Sequence, residues 1–175
     1  LLPGASQRLA VRTSVVAMVA LICGCTTLDD GRIHTHGEAY FPADWLSDAE
    51  FEADSDPELR RAYASAVTAL AEGKYAAAET GFADATRRSS FMKDKVTCLT
   101  AEALVRMDQQ EYDGAVLRLN EAVELSPDDW RPLFHRWQAY RAMGDTANAA
   151  TDRERGMTLN KALFERDYQY KRGVI

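Results

Sequence analysis

From Pro57 onward the apolar residues recur three and four positions apart, the spacing of one face of a helix. The strict alternation of apolar and polar residues that marks a half-buried strand is almost missing. Asp56-Pro57 predicts a clean helix start, with Asp as N-cap and Pro in the first turn. Upstream of it, residues 26–58 are polar, apart from the grouped Tyr40, Phe41, Trp45, Leu46 and Phe51. Within that stretch Ser47-Asp48-Ala49-Glu50 has the pattern of a capping box. It predicts a short helix, which either docks on the folded domain or serves as a binding motif. Residues 13–24 form a short apolar run, below the ~20 residues a membrane-spanning helix needs.

Composition narrows the class. The chain has 175 residues, 46% apolar and 27% charged, a globular balance and not that of a disordered chain. With 21 Lys+Arg against 27 Asp+Glu the formal charge is −6, which argues against a nucleic-acid binder needing a basic face. Three cysteines do not make a disulfide scaffold, and five prolines and ten glycines are sparse. A β-sandwich, a collagen-like rod and a multi-pass membrane protein are all disfavoured.

Arg8 and Arg12 precede the apolar run, and Ile22-Cys23-Gly24-Cys25 closes it. A basic start, an apolar core and a small residue before the break describe a secretory signal. Ile22-Cys23-Gly24-Cys25 also resembles the lipobox of bacterial lipoproteins. That resemblance implies cleavage after Gly24 and acylation of Cys25 on its thiol and its new amine, which anchors the chain in a membrane. Leu1 opens the chain and Met18 lies inside the apolar core, so the start is expected at an alternative codon or upstream. Removing residues 1–24 takes away two positive charges and leaves 19 against 27, a net −8. Thr26, and not Asp, follows the cysteine, which by the same resemblance favours the outer membrane. Residues 25–56 then read as an acidic tether, kept extended by its own charge. His34, His36 and Glu38 invite a metal, but a closed site wants three or four ligands, and a solvated linker is the expectation. Cys98 falls in a helical apolar pattern, where a buried and inert thiol is expected.

The helical part is self-similar. Ala66, Gly73, Tyr75, Ala78, Phe82 and Ala85 are matched 37 residues later by Ala103, Gln110, Tyr112, Ala115, Leu119 and Ala122, with Pro127 following. Trp137, Gly144, Thr146, Ala149, Arg153 and Gly156 stand 34 residues further on. This resembles the tetratricopeptide repeat, whose period is about 34 residues. The three extra residues of the first gap fall around Ser89–Lys95. The resemblance implies an all-α fold, an α-solenoid of about three helix pairs (about 59–92, 96–129 and 130–163). It also implies small residues where helices cross, and tyrosines opening the second helices. The third copy departs from the pattern: Trp137 replaces a small residue, Arg153 an apolar one, and Gly156 weakens the helix. Residues 161–175, with Leu163, Phe164, Tyr168 and Tyr170, read as a capping helix over the last apolar face.

No catalytic constellation emerges, and neither an enzyme nor a bound cofactor is expected. Ser90-Phe91-Met92-Lys93 has the spacing of penicillin-recognising enzymes, but the companion motifs are missing. The family works through a groove lined by first helices. Its register implies groove positions Tyr63 and Val67 in the first repeat, then Thr100, Leu104 and Met107. In the third it implies Arg131, Phe134, His135, Gln138 and Arg141, with His135 on a helix surface. The carboxylate clamp of some relatives is not expected, since Tyr63, Val67 and Ala101 stand where Lys and Asn are needed. The expected ligand is a protein segment with an aliphatic or aromatic anchor followed by an acidic residue. The resemblances together imply a periplasmic adaptor, lipid-anchored at the outer membrane and serving pilus, secretion or cell-wall machinery. The alternatives are an envelope enzyme or small-ligand carrier, and an array that self-associates through Phe164, Tyr168 and Tyr170 into a homodimer.

Overall fold

The computed structural model describes residues 25–27, 34–36, 39–40, 45–46, 49–166 and 169–170. Its body is helical: α1 (Pro57–Ala71), α2 (Tyr75–Arg88), α3 (Met92–Asp108), α4 (Tyr112–Leu125), α5 (Trp130–Met143), α6 (Thr146–Leu159) and the short α7 (Lys161–Phe164). Helices adjacent in sequence pack on one another, in three pairs α1/α2, α3/α4 and α5/α6, and α3 also touches α5. Turns of two or three residues join the members of each pair, so each pair is an antiparallel hairpin.

The periodicity reappears in the backbone. The second helices begin at Tyr75, Tyr112 and Thr146, offsets of 37 and 34. Each hairpin turn holds one left-handed residue at the equivalent place: Gly73 (φ 70), Gln110 (φ 66) and Gly144 (φ 76). Glycine adopts that conformation without steric cost, whereas Gln110 carries a Cβ into it. Asp56 caps α1 as its sequence predicts, its side chain accepting from the Glu58 amide at 2.9 Å.

Small residues sit where the helices cross. Ala66, Ala78, Ala85, Ala103, Ala115 and Ala122 are all fully enclosed, with Phe82 and Leu119 filling the spaces between. A Cβ on Gly81 would lie 2.8 Å from that of Ala66, so α1 and α2 approach as closely there as two backbones allow. Polar ties cross the same interfaces. The Tyr75 hydroxyl donates to Asp108 (2.6 Å), the Thr86 hydroxyl to Glu102 (2.6 Å), and the Arg136 guanidinium to both carboxylate oxygens of Asp152 (2.8 and 2.6 Å).

The third pair explains its own departures. Its second helix, α6, runs the full Thr146–Leu159, ending at Asn160, which caps α7. A Cβ on Gly156 would lie 2.1 Å from the Phe164 ring, so glycine opens the slot that this ring fills. Trp137 stacks on Phe164 (centroids 5.4 Å, planes 30° apart), and Arg153 Nε donates to the Phe164 carbonyl at 3.1 Å. Trp137, Arg153 and Gly156 all converge on one residue, Phe164.

Two expectations are corrected. Among the described residues of 161–175 the helix covers Lys161–Phe164, and Gln169–Tyr170 form strand β4. Leu163 and Phe164 of this short helix are buried. The tether is not simply extended. β1 (Cys25–Thr27) pairs antiparallel with β2 (His34–His36), β2 antiparallel with β3 (Ala39–Tyr40), and β3 parallel with β4, in the order β1-β2-β3-β4.

Candidate functional site

The first helices α1, α3 and α5 share a face, and the chain itself lies across it. Trp45 and Leu46 are helical and retain 5% and 1% of their exposure, inside the same core as Leu104, Met107 and Phe134. The Trp45 ring meets His135 of α5 edge-on at 4.9 Å. The Leu46 carbonyl accepts from the Tyr63 hydroxyl of α1 at 3.2 Å, and the Phe51 ring meets the Tyr63 ring edge-on at 4.9 Å. On α3, Asp94 accepts from the Glu52 amide at 2.9 Å and from the Ser55 hydroxyl. Arg60 donates to the carbonyls of Glu52 and Ala53. One segment therefore reaches the first helix of all three pairs.

The expected groove residues divide accordingly. Tyr63, Thr100, Leu104, Met107, Phe134, His135 and Gln138 are buried, and Val67 is half-buried. The surface position expected for His135 is corrected: it is wholly enclosed, beneath Trp45. Burial, with the Arg131 charge adding to it, pushes its pKa down from 6.5 to about 3, so its imidazole is neutral. Gln138 Nε2 is buried without a hydrogen-bond partner among the described residues. Arg131 and Arg141 line different clefts. Arg131 is held by both oxygens of Asp129 (2.8 Å each) and lines a cleft of about 420 Å³ with Met92, Val96 and Trp130. Arg141 lies over the Trp137 ring at 5.2 Å, beside a second open cleft of about 570 Å³ that Arg153 also lines.

No protein-family model matches this chain, and no curated protein matches it.

Sequence reasoning missed Asp94 and Ser55. Asp94 is fully enclosed and receives the incoming segment; it lies in the junction that lengthens the first repeat offset. Three extra residues in an otherwise regular period were the one available signal. Of the capping-box residues, Ala49 and Glu50 are not helical, and Ser47 and Asp48 lie outside the described residues; the helical residues that dock are Trp45 and Leu46. Phe164, which the self-association alternative puts at a surface, is fully buried, and Tyr168 lies outside the described residues. Cys98 is buried, its thiol pushed up to about 12 chiefly by desolvation. Cys25 lies in β1, and His34 and His36 in β2; Glu38 lies outside the described residues. Among the described residues no group of three His, Cys, Asp or Glu side chains converges, and no helix is long and apolar enough to cross a membrane.

Proposed function

We propose that this protein is a lipid-anchored adaptor of the bacterial envelope. Cys25 is its acylated residue, the outer membrane its location, and its helix pairs tetratricopeptide repeats that hold a segment of another protein. The observation that carries this reading is the first-helix face, where α1, α3 and α5 together accommodate a length of chain through an aromatic ring, an aliphatic side chain and main-chain hydrogen bonds. A face that holds one segment this way has the chemistry to hold another. The repeated second-helix offsets of 37 and 34 support the repeat type. The Ile22-Cys23-Gly24-Cys25 sequence supports the anchor. The partners that suit this chemistry are assembly components of pilus, secretion or cell-wall machinery.

The anchor is tested by Cys25→Ser. That variant is expected to remain unprocessed and free of acyl label, with the helical domain folded; normal cleavage and acylation would overturn the lipoprotein assignment. The adaptor function is tested by capture from solubilised membranes with the intact protein as bait. A partner should be retained by wild type and lost when Tyr63 and His135 are both replaced by Ala in a chain that stays helical. Retention by that variant would move the interface off this face.

A further inference from the structure

The segment that closes the first-helix face carries the pattern expected of the face's ligand. Trp45 and Leu46 are the aromatic and aliphatic anchors, and Asp48, Glu50 and Glu52 follow them in sequence. Its polar contacts include main-chain ones, the Leu46 carbonyl to Tyr63, the Glu52 amide to Asp94, and the Glu52 and Ala53 carbonyls to Arg60, together with the Ser55 hydroxyl on Asp94 and the Glu52 carboxylate 3.8 Å from Lys93 Nζ. Main-chain groups are common to every polypeptide, so another chain can replace those bonds, and specificity falls to the Trp-Leu anchor and the carboxylate that meets Lys93.

The segment is also separable from what flanks it. α1 is capped within residues 56–58, by Asp56 on the Glu58 amide, and this cap uses no residue of the segment. On the other side, β3 pairs with β2 and β4 through backbone bonds of its own. Release changes the contacts of Trp45, Leu46 and residues 49–55 and need not unwind a helix of the body.

We propose that the segment carrying Trp45, Leu46 and residues 49–55 is a built-in competitor for the first-helix face. An external partner docks there by displacing it, with a segment of the same pattern, an aromatic-aliphatic anchor followed by carboxylates. This regulation presupposes the adaptor function proposed above. Because the competitor is tethered, it acts at an effective concentration of order millimolar and holds back weak ligands. Only a ligand that matches the anchor, or is itself held at high local concentration, opens the face.

Two measurements on the full chain test this. The first is hydrogen exchange of the wild-type protein. The Glu52 amide should exchange by local opening, well ahead of the α3 amides of Leu99 and Ala103. Exchange of all three in step would make the segment a permanent part of the core and overturn the proposal. The second uses a labelled peptide of residues 43–53 as probe, added to wild type and to the Trp45→Ala, Leu46→Ala chain. It should bind the double variant at least about tenfold more tightly than wild type, and a peptide with both anchors changed to Ala should not. A double variant of native helicity that fails to bind the peptide overturns the competitor; should that variant not fold, the exchange measurement decides alone. Neither readout uses the membrane or the natural partner. Failure here removes the competitor and leaves the adaptor to its capture test, whereas failed capture with successful peptide binding counts against the adaptor alone.

Discussion

At the scale of single residues, three positions turn on enclosure. Gly156 faces the Phe164 ring with no space for a methyl group. Alanine ordinarily stabilises a helix interior by up to about 1 kcal/mol over glycine, but here the ring would have to leave its slot against Trp137. Gly156→Ala should therefore cost the ~1–3 kcal/mol of stability typical of overpacking, read as a lowered melting temperature. His135 has the opposite problem, a group that must stay neutral. Its folded-state pKa is about 3 against 6.5 unfolded, so below 6.5 the unfolded chain binds the proton and the folded one does not. Stability from this site is complete above 6.5 and is lost progressively as pH falls toward 3. Unfolding curves across that window should be steeper in pH for wild type than for His135→Gln, and equal slopes would contradict the burial. Cys98, with its thiol near 12, should resist alkylation at neutral pH and label readily in denaturant, read on the peptide that contains it.

At the scale of the helix pair, the turns and crossings decide. Gln110 holds the left-handed place that glycine occupies in the other two hairpins. That conformation costs a residue with a Cβ roughly 1–2 kcal/mol, partly offset by the greater chain entropy glycine loses on folding. Gln110→Gly should thus stabilise the domain by up to about 1 kcal/mol in denaturant unfolding. A loss of stability would mean that the Gln110 side chain has a role its backbone does not reveal. At the crossing of the middle pair Ala115 is fully enclosed, and Ala115→Leu should cost ~1–3 kcal/mol or more. These positions were legible because small residues and turn residues recur at fixed offsets. Gly81 was not, since it has no counterpart in the repeat pattern and only its distance to Ala66 explains it.

At the scale of the molecule, the first-helix face and the segment across it form one unit. Seating Trp45 and Leu46 removes most of both side chains from water, and burying such residues fully contributes roughly 1.5–3 kcal/mol each. Trp45→Ala should therefore lower stability while leaving the helix content near that of wild type, as circular dichroism and thermal melts would show together. A variant that lost helix in proportion to stability would tie the segment to the folding of the body itself. The candidate site was half legible. The register brought Tyr63, Leu104, Met107, Phe134 and His135 to one face, but no local pattern says that a face is already covered.

Local rules were enough to determine the helical body, its repeat offsets, the Asp56 cap and the burial of Cys98 and of the alanines. Each of these depends on residues within one turn or one hairpin, where spacing alone sets which side chains meet. Only the tertiary structure decided that Trp45 and Leu46 cross to helices far along the chain, that Asp94 receives Glu52 and Ser55, and that Phe164 fills the place Gly156 leaves. Those contacts follow no period, and apart from Gly156 with Phe164 they join residues tens of positions apart, so their cause is the shape of the surface the helices make once packed.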